Sequence, residues 1–281
     1  MSNIDWFNES LLIEPASKQI QVHDKTINYL VWGEESKPGL FFIHGYSAHA
    51  HWWDFVAPAF IEKFCVVAID LSGSGDSDHR ESYSQEIFAD EIKAVCEDMN
   101  WKQADFVSHS MGGSISLNAT SIYPELFKSL TLLDSIVVLP PDKARGFSSN
   151  KSMIRADFIY DDIDAAMDSF RLIPPQPCRN DYLLKHIASN SFKQRDDGWV
   201  LKSDGKIMKS YKSKDLTDIL MAIKCPINIV YGLMSQIFTQ EILDYTLYVG
   251  NIPEERVIGI PAVSYTHLRA HETLRYLVCR L

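Results

Sequence analysis

Cysteine is sparse in this sequence. Five thiols (Cys65, Cys96, Cys178, Cys225 and Cys279) stand at wide, irregular intervals with no C-x-x-C pair. That pattern indicates neither a disulfide framework nor a zinc site. Cys65, in the apolar run "FCVVAID", and Cys96, in a helical pattern, read as buried thiols. Positive charge is also in short supply: 27 Lys and Arg against 37 Asp and Glu give a formal charge of −10. The deficit argues against nucleic acid or an anionic membrane as a partner. No continuous apolar run opens the chain, and "MSNIDWFNESLLIEP" carries acids near its start. The expectation is therefore no signal peptide, no membrane insertion and, by default, a cytoplasmic location. Internal repeats and low-complexity tracts are missing too. What is present is an ordinary globular composition, 46% hydrophobic over 281 residues, enough to bury a full core.

Apolar and polar residues alternate through "KQIQVHDKTINYLVWG" around a polar "HDK" centre, which predicts an opening hairpin. Short apolar runs then alternate with helical patterns. "GLFFIHG", "KFCVVAID", "ADFVSHS" and "KSLTLLDS" read as strands, and "HWWDFVAPAFIE" and "MGGSISLNATSIY" as helices. In "SQEIFADEIKAVCEDMN" the spacing places Ile87, Phe88, Ile92, Val95, Cys96 and Met99 on one helical face. Strands alternating with helices imply parallel pairing through crossovers, hence an α/β sheet covered on both faces. Between about Leu139 and Asp215 the rhythm breaks, in "LPPDKARG", "RLIPPQPC" and "SFKQRDDGWVLKSDGK". Phe, Tyr, Trp, Leu and Ile recur there, so an inserted, largely helical cap is expected and not a linker. The rhythm resumes with "PINIVYG", "QEILDYTLYVG" and "ERVIGIP". The expected organisation is a core built from residues 1–138 and 216–262, interrupted by a cap over 139–215 and followed by a tail over 263–281.

Candidate chemistry falls at the carboxyl ends of the expected strands, where open α/β sheets place their ligand crevice. In "VSHSMGG", Ser110 sits between a strand and a helix, where a tight turn exposes the hydroxyl and aims the first helical amides at the same point. The pattern is S-x-S-x-G, with Ser108 in the place of a glycine; alone it is weak and favours a helix N-cap serine, and the strand-to-helix setting raises the nucleophile reading above that. In "FFIHGYSAHAHWW", His44 and Gly45 directly follow a strand. The backbone N–H of Tyr46 and that of Met111 are the two donors available to an oxyanion formed at Ser110. His44 reads as a structural residue of that loop, and His49, His51, Trp52 and Trp53 as pocket wall or plain packing. In "DLSGSGDSD", Asp70, Gly73 and Gly75 make a tight structural loop that matches no phosphate-binding pattern.

Taken together, "HGY", "DLSGSGDS", "SHSMGG" and "YPELFKSLTLLDS" resemble the α/β-hydrolase fold family in order and spacing. The resemblance covers about Lys18 to Asp134 and Cys225 to Pro261. It implies an eight-stranded, mostly parallel sheet with helices on both faces, and Ser-acid-His catalysis without a metal or organic cofactor. A serine nucleophile also argues against the dehalogenase and epoxide-hydrolase members, which carry an aspartate there. The usual acid after the penultimate strand is missing, since "IVYGLMSQIFTQE" has Ser235 and Gln236 in its place. Asp134, at the end of "LTLLD", holds the alternate acid position of some members. It competes with its plainer role as a loop residue, and Glu241 is a distant second.

The histidine of such a triad is due within a few residues of Pro261, and only His267 and His271 lie there. The tail from about Val263 resembles something other than a protein family. "VSYTHLRAHET", then "LRY", then "LVCRL" is similar to a translated sequencing adapter with its index barcode. The reading therefore expects a chain truncated before its native histidine, with His267 as triad base only if the tail is native. The function expected is hydrolysis of a small-molecule carboxylic ester or related acyl substrate, with acyl transfer, C–C hydrolysis and cofactor-free peroxidation as relatives of the same chemistry. The competing reading is a non-catalytic ligand-binding protein on a hydrolase fold.

Overall fold

The computed structural model describes residues 3–144, 158–173, 175, 178, 180–211, 214–235 and 237–260. His267 and His271, with Gln236 and Pro261, lie outside the described residues. The chain opens with helix α1 (Asn3–Leu11), and the alternating segment then forms the hairpin β1 (Ala16–Val22) and β2 (Lys25–Trp32). The apolar runs give β3 (Gly39–Ile43), β4 (Cys65–Ile69), β5 (Ala104–His109) and β6 (Phe127–Leu133). Helices α2 (Gln85–Asp98) and α3 (Met111–Ile122) supply crossovers, α2 starting at Ser84, whose hydroxyl accepts from the Ile87 N–H.

The segment from 139 to 215 carries α4 (Pro141–Ala144), β7 (Ile159–Tyr160), α5 (Ile163–Ser169), α6 (Asp181–Ser191), β8 (Phe192–Arg195), β9 (Gly198–Leu201) and α7 (Lys206–Ser210). After it come α8 (Thr217–Ala222), β10 (Ile227–Gly232), α9 (Gln240–Gly250) and β11 (Val257–Ile260).

Eight strands form one sheet in the order β1-β2-β4-β3-β5-β6-β10-β11, parallel from β4 through to β11 with the hairpin antiparallel at one edge. The two-residue side-chain period divides the core into two apolar layers. Phe41 and Ile43 join the layer under α2, α3 and α9, while Leu40 and Phe42 join the other, with Trp53, Phe60 and α6. The carboxyl ends come level: Ile43 pairs with Ser108, His109 with Leu133, Leu133 with Val230, and Gly232 with Ile260. Residues that follow these strands therefore share one rim of the sheet.

Two details differ from the sequence-based expectation. "HWWDFVAPAFIE" makes two 3-10 turns, Ala50–Trp53 and Ala57–Phe60, and Pro58 opens the second. The inserted segment holds, besides its helices, a three-stranded antiparallel sheet in the order β7-β9-β8. Its β8–β9 hairpin closes through Asp196 and Asp197 before Gly198, at φ 130°. These strands are short and half-exposed, so no buried apolar run marks them.

The inserted segment meets the rim at two places. His186 on α6 is 2.9 Å from the Asp54 carboxylate, and His49 donates to Ser191 Oγ at 2.9 Å. Beyond β9, the Asp204 N–H donates to the Gly73 carbonyl at 2.8 Å and the Tyr83 hydroxyl to Asp204 Oδ2 at 2.6 Å.

Candidate active site

Ser110 joins β5 to α3 with φ 51° and ψ −120°, a conformation that L-residues rarely hold and that costs on the order of 1–3 kcal/mol unless the surroundings enforce it. They do so here. Its N–H donates to the Leu133 carbonyl at 3.1 Å, and its own carbonyl accepts from the Gly113 N–H at 3.0 Å. Helix α3 starts at the next residue, so its first amides, Met111 N–H among them, have no intrahelical acceptor and surround the serine.

The loop after β3 closes over this turn. A Cβ at Gly45 would stand 3.0 Å from Ser110 Cβ and 2.8 Å from His109 Nδ1, and one at Gly112 would stand 2.6 Å from the His44 carbonyl oxygen. Only glycine permits that approach, and it brings the loop after β3 against the Ser110 turn.

Ser108, wholly buried, occupies the position where the pattern usually has glycine. Its hydroxyl would cost roughly 1–3 kcal/mol if left without a partner. Ser116, two turns into α3, supplies one at 2.6 Å and passes its own proton to the Gly112 carbonyl at 2.8 Å. Helical periodicity alone did not single out Ser116; pairing it with Ser108 was the available signal.

His44 is fixed as a neutral ring. Nδ1–H donates to the Gly45 carbonyl at 2.7 Å while Nε2 accepts from the Leu71 N–H at 3.1 Å. Burial pulls its pKa below the ordinary value, against the opposing effects of the Gly45 bond and Asp70. His109, next to Ser110 in the chain, is pushed down to about 3 by burial, with His44 adding to the shift. Asp70 braces the rim from below, accepting from the Ala50 N–H at 2.6 Å, Asn28 Nδ2 at 2.9 Å and the Asp76 N–H at 3.0 Å.

Asp134 follows β6 at φ 48° and is 4% exposed. Its N–H donates to the Val230 carbonyl at 2.8 Å. The carboxylate turns toward the exit of β10, Oδ1 accepting from the Gly232 N–H and Oδ2 from the Ser235 hydroxyl, each at 3.4 Å. β11 ends alongside, since the Leu233 N–H donates to the Ile260 carbonyl at 2.8 Å. Glu241 lies on α9, with Lys143 as its ion-pair partner.

Six other histidines have partners elsewhere. His23 meets Asp90, His44 the Gly45 carbonyl, His49 Ser191, His51 and His186 both Asp54, and His79 the Lys202 carbonyl. The Asp54 cluster escaped the sequence reading because its two histidines come from segments far apart, with His186 standing 132 positions from Asp54. Trp53 stacks on Phe42 with ring centroids 4.7 Å apart, which makes it core packing. Among the described residues no group of three or more His, Cys, Asp or Glu side chains is disposed to hold a metal, and no helix is long and apolar enough to cross a membrane.

The strand order, the level carboxyl ends and the Ser110 turn define a class, and the family profile for the alpha/beta hydrolase fold matches residues 38–162. The chain has the α/β-hydrolase fold. A serine hydrolase-like protein from Danio rerio is 25% identical over 191 residues, 63% of this chain and 58% of that protein's length. The chain thus spans well under two thirds of that relative. Among solved structures, E-2-(acetamidomethylene)succinate hydrolase superposes with a TM-score of 0.80 at 20% identity, covering 95% of this chain and 98% of that one. An esterase from Mycobacterium tuberculosis does so with a TM-score of 0.73 at 21% identity, covering 100% and 99%.

Proposed function

We propose that this protein is a serine hydrolase acting on a small-molecule carboxylic ester or a related acyl compound. The observation that carries the reading is Ser110 held at φ 51° between β5 and α3, with the Gly45 backbone packed against it. In this mechanism Ser110 Oγ attacks the acyl carbonyl and gives its proton to a histidine. The carbonyl oxygen takes up the negative charge and is held by the N–H groups of Tyr46 and Met111. The histidine then protonates the leaving alcohol, leaving an acyl-serine that water opens by the same steps in reverse.

Asp134 orients the base, a histidine that follows β11 in the sequence. His267 and His271 are the histidines of this sequence that follow β11. The serine hydrolase-like relative and the esterase neighbour support the class of reaction.

The test is labelling by a fluorophosphonate probe together with turnover of p-nitrophenyl esters. Ser110→Ala is expected to abolish labelling and to lower turnover by roughly 10⁴-fold or more. A wild-type chain that binds esters but neither labels nor turns over would support the ligand-binding reading in its place.

A further inference from the structure

The side chain of Asp134 is held from outside its own strand. Two donors to its carboxylate, the Gly232 N–H and the Ser235 hydroxyl, come from the exit of β10. Ser235 is itself fixed twice. Its N–H donates to the Gly232 carbonyl at 2.9 Å, and its Oγ accepts from the Phe238 N–H at 3.1 Å. Phe238 is 2% exposed and packs on Tyr231, with ring centroids 5.6 Å apart, so this small turn is anchored in the core. With one lone pair of Oγ committed to Phe238, the Ser235 O–H is directed at Asp134 Oδ2.

We infer that Ser235 is a positioning residue, a neutral donor that fixes the orientation in which the Asp134 carboxylate meets the base. The inference rests on the reading of Asp134 as the acid. Its physical basis is that Asp134 sits at φ 48° at the very end of a strand, where neither helix nor strand rotamer preferences fix the side chain. The turn from Gly232 to Phe238 supplies that restraint. A carboxylate at position 235 would instead place two like charges side by side and push one of them toward the protonated form.

The full chain carries the test, as wild type, Ser235→Ala, Ser235→Thr and Asp134→Asn. Two readouts are used: steady-state kinetics with p-nitrophenyl butyrate, and an NMR titration of the ¹³C-labelled Asp134 carboxyl. Ser235→Ala is expected to lower kcat roughly tenfold at unchanged KM, the size of one lost hydrogen bond to a charged group. The same variant is expected to titrate the Asp134 carboxyl at higher pH than wild type. Ser235→Thr, which keeps the hydroxyl, is expected to restore both.

If Asp134→Asn lowers turnover while Ser235→Ala changes neither kcat nor the carboxyl titration, Ser235 has no positioning role. If Asp134→Asn is as active as wild type, the acid assignment itself fails, a separate result. In a chain without measurable turnover the titration decides, and an unmoved Asp134 titration in Ser235→Ala overturns the inference.

Discussion

The central sheet and the inserted segment are held by partly different forces. Strands β3 and β4 are buried along their whole length, and at their centre Phe106 stacks on Phe127 at 4.1 Å and packs on Phe41 at 5.2 Å. That cohesion comes from apolar surface removed from water and is insensitive to pH. The inserted segment shares that apolar packing through Phe170, Leu183, Ile187 and Phe192, and what it adds at the rim is titratable. His186 meets Asp54, Lys202 meets Asp76 at 2.6 Å, and Tyr83 meets Asp204. The aromatic contacts of α6 run both to α1, where Phe7 lies 4.9 Å from Tyr182 and 5.7 Å from His186, and directly to Phe55, 6.4 Å from His186. The sheet is therefore built for permanence, whereas the contacts that seat the insert on the rim are open to adjustment by protonation.

The largest effect expected is on the sheet itself. Phe106→Ala should cost about 3–5 kcal/mol in chemical denaturation, since the side chain is fully buried between two other rings. A loss under about 1 kcal/mol would show that the central packing is not what holds the sheet.

The next effect separates the two regions. His186→Ala removes one of two donors to a carboxylate that is 7% exposed, and should weaken docking of α6 by roughly 1–2 kcal/mol. Hydrogen exchange should then speed up in 181–191 and leave β3 and β5 unchanged.

The same contact gives a pH dependence whose sign follows from two shifts. Burial works against a charged His51, but the Asp54 carboxylate outweighs it and raises its pKa above the ordinary 6.5. Burial likewise opposes a charged Asp54, but hydrogen bonds from His186 and His51 bring its pKa below 3.8. The contribution of His51 is complete below 6.5 and is lost as pH rises through its raised value. That of Asp54 is complete above 3.8 and is lost as pH falls through its lowered value. The Asp54 cluster should thus be firmest between these limits, and docking of α6 through Asp54 should loosen on the acid side. Lys202 and Asp70 also act on His51, and His49 lies 6.1 Å away as a ring kept neutral by burial. Exchange in α6, corrected for intrinsic rates, that does not change as pH falls from 6 through the lowered Asp54 value would remove this distinction between sheet and insert.

The smallest effect belongs to a local cap. Ser84→Ala removes the hydroxyl that accepts from the Ile87 N–H at 3.3 Å and should cost about 1 kcal/mol by thermal unfolding, since α2 also packs on the core.

Much of the fold was legible because its signals are local. Alternation in "KQIQVHDKTINYLVWG" became the β1–β2 hairpin, and Phe88, Ile92, Val95 and Cys96 of the expected face are buried on α2, with Ile87 half-exposed and Met99 its C-cap. The β8–β9 hairpin was not legible, since strands four residues long and half-exposed have no apolar period to read. For the candidate site, Ser110 and the glycines around it could be named from their turn, because turn geometry constrains neighbours in sequence. Ser116, Ser235 and the Asp54 cluster could not, because each matters only through a partner on another element.

The sequence by itself determined the order of strands and helices, the two apolar faces of the sheet and the strand-to-helix turn at Ser110, all of which follow from backbone periods and steric limits spanning a few residues. Only the tertiary structure decided which side chains meet at the rim. Asp134 and Ser235 are 101 positions apart, and Asp54 and His186 are 132 apart. Strand register and the packing of α6 bring these pairs within hydrogen-bond reach, and that depends on how whole elements fit together, not on any local run of residues.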